Sequence, residues 1–153
     1  MAHSASYSFP IGSLTVGYEN CTVISLKISE NSDISGVSSL FSDQVALELQ
    51  EYFDGKRTHF TFPLRLDGTD FQKAVWQELL RIPYGQTRTY SQIAAAIGNP
   101  NAARAVGQAV NRNPIWIAVP CHRVIGKSQA LTGYAGGLEL KQKLLALEQN
   151  AIL

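Results

Sequence analysis

The sequence predicts an α+β protein in two parts: a small antiparallel sheet with one helix over residues 1–66, and a helical half over 67–153 containing a helix-turn-helix. Three observations carry that prediction. Alternating and β-branched residues fill the first 30 positions, which is a hairpin signature. Further on, apolar residues recur at three- and four-residue steps, the period of a helix with one buried face. Two helix starts in the second half are marked by Thr with Gln three residues later, the capping-box pattern.

In order, Leu14–Tyr18 and Thr22–Ile28 read as paired strands about a turn at Glu19-Asn20, with Cys21 beside it as a small structural thiol. Val37, Leu40, Phe41, Val45, Leu49, Tyr52 and Phe53 predict an amphipathic helix over 38–53, ended by Gly55. His59–Phe62 reads as one more strand. Residues 66–70 form a linker, and Thr69 with Gln72 caps a helix whose buried stripe is Phe71, Val75, Trp76, Leu79 and Leu80. Ile82-Pro83-Tyr84-Gly85 breaks it. Thr89 with Gln92 opens a short helix, Tyr90–Ile97, closed by Gly98. Asn99-Pro100 then reads as cap and first residue of a second helix, rich in small side chains with one arginine. A tight Gly-Asn-Pro turn between two helices is the helix-turn-helix pattern, although an Ala-rich core helix would look the same. The last helix is expected to bury Leu138, Leu140, Leu144, Leu145 and Leu147.

The chain has 153 residues, 45% hydrophobic and 16% charged, which fits one ordinary domain or two small ones with a packed core. Two cysteines a hundred positions apart make no disulfide framework, so a reducing compartment, the cytoplasm, is expected. The first residues lack the basic and apolar regions of a signal peptide, and no apolar run approaches the ~18 residues of a membrane span, so no membrane role is expected. Net charge is +1, but it is unevenly placed. Residues 1–70 carry four Lys/Arg against nine Asp/Glu, whereas 71–127 carry seven Lys/Arg against Glu78 alone. Positive charge gathered in one stretch is what phosphate binding requires.

That same stretch holds Asn113-Pro114-Ile115-Trp116-Ile117-Ala118-Val119-Pro120-Cys121-His122-Arg123-Val124. Positions 115–119 read as buried, extended chain that delivers a thiol, an imidazole and a guanidinium in succession. A free cysteine with a pKa near 8.5 is only about 3% thiolate at pH 7, so a nucleophilic one needs a base or a cation nearby. Neighbouring side chains on extended chain point to opposite faces, so His122 would reach Cys121 through a water. Glu148 is a candidate to orient His122, giving a Cys–(water)–His–Glu relay; taken alone, a glutamate near a helix end is ordinarily solvated.

These residues resemble the O6-alkylguanine-DNA alkyltransferase family over roughly residues 35–150, most strongly from Phe71 onward. Pro-Cys-His-Arg-Val stands at 120–124, an Asn-Pro-x-Ala-Ala-Arg-Ala-Val-Gly run at 99–107, and Gly-Tyr-x-Gly-Gly at 133–137. The resemblance implies a ribonuclease H-like N-terminal domain and a winged-helix-like C-terminal one. It also implies repair of O6-alkylguanine in double-stranded DNA, with O4-alkylthymine as a second candidate substrate, by irreversible transfer of the alkyl group to Cys121. His122, Glu148 and the structural Asn113 would support Cys121. Arg104 would fill the space of the flipped base, with Tyr90, Ala102, Ala103, Gly107 and Arg112 on the DNA. Tyr90, Val110, Trp116, Val124, Tyr134 and Ala135 would line the base pocket. The implied protein acts once, as a monomer, without cofactor. Of the residue types that hold zinc in some relatives, the N-terminal half offers only Cys21, His3 and His59, so no metal is expected. Trp116 stands where smaller residues or proline are usual, and Ala135 replaces a serine.

Two other classes fit parts of the pattern. A non-enzymatic alkyl-lesion binder would use the helix-turn-helix alone and would have no use for Cys121. A cysteine hydrolase built on Cys121 and His122 would turn over repeatedly and would not need Arg104.

Overall fold

The computed structural model describes residues 2–29, 36–126 and 137–151. It divides into two compact units: Met1–Leu66 with Pro114–Trp116, and Asp67–Asn113 with Ile117–Leu153.

The first unit is built on an antiparallel sheet in the order β1 (His3–Phe9), β2 (Gly12–Glu19), β3 (Thr22–Ile28). The central strand is buried from Leu14 through Tyr18, because both neighbours and the covering helix close over it. Sequence reading missed β1, whose Ser-rich HSASYSF lacks a β-branched run. The β2–β3 turn is Asn20-Cys21, one residue later than expected. Both residues have positive φ, 52° and 56°, as a two-residue primed hairpin turn demands. Cys21 is consequently exposed at the turn and not a packed thiol.

Helix α1 (Leu40–Phe53) starts at a reciprocal capping box between Ser39 and Ser42 and ends at Asp54, followed by Gly55 at φ 74°. Val45, Leu49 and Tyr52 are fully buried, whereas Val37 and Leu40 are 61% and 91% exposed. Those two precede or open the helix, before its inward stripe begins. Residues 59–62 do not form the expected strand. Glu48, buried in α1, receives the Thr61 backbone N–H at 2.8 Å and its hydroxyl at 2.6 Å, so a side chain takes a bond that a ladder would have used. Isolated bridges from β3 to Leu64 and to Ile115 complete the unit.

In the second unit α2 (Asp70–Leu79) carries the expected Thr69–Gln72 capping box. Val75, Trp76 and Leu79 are buried, and the Trp76 indole N–H donates to Ala109 O at 2.8 Å, which satisfies the polar edge of a buried aromatic. Phe71 is half-buried and Leu80 is 43% exposed, since the inward face spans only three positions of this short helix. A two-residue strand β4 (Arg88–Thr89) leads into α3 (Tyr90–Ala96), capped by Thr89 and Gln92 as expected.

The following helix, α4 (Ala103–Asn111), begins four residues after Asn99. Asn99 is not its cap: Ala102 N–H bonds Asn99 O at 3.0 Å, so Asn99–Ala102 closes a turn with Pro100 at its second position, a site where a fixed φ is favoured. Ala102 occupies the cap position without a side-chain bond. After the segment 114–123 a short strand β5 (Val124–Ile125) runs parallel to β4. Helix α5 (Leu138–Ala151) closes the unit. Its buried residues are Leu140, Lys141, Leu144 and Glu148, while Leu138 is 47% exposed and Leu145 and Leu147 are half-buried.

Candidate active site

The segment before Cys121 is not one extended strand. Only Ile115 bridges β3; residues 116–118 turn, and Ile117 has φ 72°, a strained conformation for a β-branched residue. Asn113, 3% exposed, braces this reversal by donating Nδ2–H to Val119 O at 2.8 Å. Cys121, His122 and Arg123 then form one 3₁₀ turn, so their side chains diverge by about a third of a turn instead of alternating between opposite faces.

All three side chains are buried, Cys121 at 1% exposure, His122 at 0% and Arg123 at 7%. Glu148 from α5 is buried with them, contrary to the solvated default. Its carboxylate meets His122 Nε2 at 2.6 Å, Arg123 Nε at 2.8 Å and Nη2 at 3.0 Å, and accepts from Gly85 N–H at 3.2 Å. Arg123 Nη1 donates to Ile82 O at 2.7 Å, which ties the 82–85 loop to the same cluster. Burial alone would push the Glu148 carboxyl up, but hydrogen bonds from His122 and Arg123, with the Arg123 guanidinium beside it, outweigh it and hold it well below the usual carboxylate range. Burial pushes His122 below its ordinary value; the Glu148 bond opposes this, and Arg123 and Lys141 reinforce it. An ionised Glu148 accepts, so His122 carries hydrogen on Nε2 and leaves Nδ1 as its basic nitrogen.

Lys141 was not found from sequence. It lies fully buried on the same face of α5 as Glu148, two turns earlier. Burial pushes its ammonium below the usual lysine value, and a thiolate at Cys121 pulls it partly back. The seven-residue spacing to Glu148 was the available signal, masked by the expectation that lysines face water.

Thr89, Tyr90, Ser91, Ala103, Arg104 and Gly107 line an open cleft of about 370 Å³. A methyl group on Gly107 would meet the Tyr90 ring at 3.7 Å, an ordinary contact, so packing within the protein does not require glycine there. Arg104 and Arg112 are exposed, and Ala102 and Ala103 are partly exposed. Val110 and Val124 are buried. The parallel β4–β5 register, Arg88 to Val124 and Thr89 to Ile125, places Tyr90 one residue beyond strands that start next to Arg123. Trp116 belongs to the first unit, where its N–H bonds Leu26 O at 2.9 Å. Tyr134 and Ala135, with the Gly133–Gly136 part of their loop, lie outside the described residues. Among the described residues no three His, Cys, Asp or Glu side chains cluster to hold a metal ion, and no helix is long and apolar enough to cross a membrane.

A sheet-and-helix unit followed by a helix-turn-helix unit with a buried cysteine–histidine–glutamate cluster defines a known class. The ribonuclease-like domain of 6-O-methylguanine DNA methyltransferase matches residues 3–66, and the DNA-binding domain of the same family matches residues 70–150. A methylated-DNA–protein-cysteine methyltransferase of Mycobacterium leprae is 46% identical over 159 residues, covering 100% of this chain and 96% of the relative. One from Methanosarcina barkeri is 57% identical over 110 residues, 72% of this chain and 70% of the relative. The crystal structure of the Mycobacterium tuberculosis protein in complex with DNA superposes with a TM-score of 0.87 at 46% identity, covering 95% of this chain and 92% of that one. The chain belongs to the 6-O-methylguanine DNA methyltransferase family. It is a DNA-repair methyltransferase of the direct-reversal kind, and DNA is its partner.

Proposed function

We propose that the chain repairs O6-alkylguanine in double-stranded DNA by moving the alkyl group onto Cys121, once per molecule. The observation that carries this reading is a buried thiol in one turn with a histidine already bound to an ionised glutamate. A stacked guanine hides its O6 substituent, so the damaged nucleotide is flipped out at a cost of a few kcal/mol. The small-residue face of α4 lies in the minor groove, Arg104 takes the vacated place in the stack, and Ala102, Ala103, Gly107 and Arg112 follow the backbone. Tyr90 displaces the nucleotide's phosphate and donates a hydrogen bond to the extruded base. Val110 and Val124 bound the base pocket.

His122 takes the Cys121 proton at Nδ1, directly or through one water, and Glu148 holds the ring. The sulfur attacks the alkyl carbon in line: an S–C bond forms, the C–O6 bond breaks, and guanine keeps the electron pair. Tyr90 meets the charge that grows on the base. The thioether has no easy leaving path, so the molecule is spent after one transfer. The reaction needs only one protein molecule, and the chain is proposed to act as a monomer in the cytoplasm, where its thiol stays reduced.

The test is to titrate protein with excess duplex carrying one O6-methylguanine. Repair should stop at one lesion per protein, and Cys121→Ala should bind the duplex but repair none. Continued turnover would favour a hydrolytic reading. Binding by the parent protein without repair would favour the lesion-binding one.

A further inference from the structure

The proposed transfer makes no use of Arg123, the one permanently charged group in the cluster. Its guanidinium forks onto both oxygens of Glu148, at 2.8 Å to Oε1 and 3.0 Å to Oε2, and His122 shares Oε2 at 2.6 Å. One carboxylate therefore serves two basic partners, all of them buried. An isolated buried Glu–His pair favours the imidazolium, because an opposite charge within ~4–6 Å stabilises the charged form by about 1–3 pH units. A histidine that holds its proton at rest cannot take one from a thiol. Arginine does not deprotonate at accessible pH, so with Arg123 present the carboxylate is already neutralised.

We propose that Arg123 is a positioning residue that neutralises Glu148, so that Glu148 fixes the His122 tautomer as a hydrogen-bond acceptor without trapping the ring as imidazolium. This rests on the proposed base role of His122. Among the described residues, the other groups facing His122 come from three places. From α5 come Glu148 and Lys141; from its own turn come Cys121 and Arg123. The inward residues of α2 are Val75, Trp76 and Leu79, which do not titrate, and the 82–85 loop brings Tyr84, whose ring centre lies 5.7 Å from the Arg123 guanidinium carbon. Lys141 also disfavours an imidazolium, so the variants tested must change Arg123 alone.

The experiment records ring-nitrogen NMR of His122 against pH in the intact protein, in Arg123→Lys and in Arg123→Gln, together with the pH dependence of methyl transfer. In the parent, His122 should be neutral at pH 7 with hydrogen on Nε2, and Arg123→Lys should keep that state. Arg123→Gln, which retains donors but loses the charge, should raise the ring midpoint by about 1 unit or more and carry the acidic limb of the transfer profile upward with it. A merely structural arginine would lower the rate at every pH and leave the midpoint in place; that result overturns the inference. So does an imidazolium in the parent at pH 7, a reading that needs no variant to fold. The base role fails separately, if His122→Phe transfers methyl groups at the parent rate.

Discussion

His122 Nε2 lies 2.6 Å from Glu148 Oε2, with both side chains sealed from solvent. Removing one member of a buried charge cluster leaves the others uncompensated. Glu148→Gln would strand Arg123 without its counter-charge, so the variant is expected to lose about 3–5 kcal/mol in urea unfolding. Loss of the orienting carboxylate should also slow single-turnover methyl transfer by about 100-fold or more. A variant as stable and as fast as the parent would remove Glu148 from the relay.

The acid limb of stability follows from the same pair. Burial holds His122 below its ordinary 6.5, so below that pH the native protein binds fewer protons there than the unfolded chain does. Stability present above pH 6.5 should therefore fall as pH drops through that value toward the folded one. Glu148 is held well below its ordinary 4.5, so its contribution is present above 4.5 and is lost as pH falls further. Unfolding free energies from pH 8 to pH 3 should decline over both windows, and Glu148→Gln should flatten the lower one. A flat profile in the parent contradicts both assignments.

Arg104 and Arg112 are exposed, one within α4 and one at its end. A phosphate contact releases about one counterion, so Arg112→Ala should weaken binding to all duplexes and reduce the log–log salt slope by about 1. Arg104→Ala should slow repair of duplex more than dealkylation of the free base, because its proposed task is to support flipping. Equal losses on the two substrates would argue against that task, and an unchanged salt slope for Arg112→Ala would take that residue off the backbone.

Lys141 is fully buried, and a thiolate at Cys121 would favour its charged form. Lys141→Met preserves most of the volume and removes the cation. Transfer should slow by about 10-fold near pH 7 and recover as pH rises and more thiolate forms without help. A loss that persists unchanged at alkaline pH would point to packing alone.

Much of the site was legible because its chemistry is local in sequence. Cys121, His122 and Arg123 are adjacent, and the capping boxes at Thr69 and Thr89 fixed two helix starts before any tertiary contact was known. Elements decided by packing were not legible. Residues 59–62 look like a strand until Glu48 takes the Thr61 N–H, and Pro100 suits a turn as well as a helix start. The reversal at Ile117 breaks the local preference of a β-branched residue, which is why 115–119 reads as plain strand. Lys141 was hidden because charged residues on a helix ordinarily face water, and Glu148 could be named as a partner for His122 but not shown to face inward; the 3₁₀ turn packed against α5 makes the burial of both favourable.

The most direct test is the intact mass of the protein after incubation with duplex DNA containing one O6-methylguanine, followed by peptide mapping. The expected result is a gain of a single methyl group, confined to the peptide bearing Cys121 and saturating at one per molecule. A methyl group on any other residue, or repaired DNA with the protein mass unchanged, would contradict transfer to Cys121.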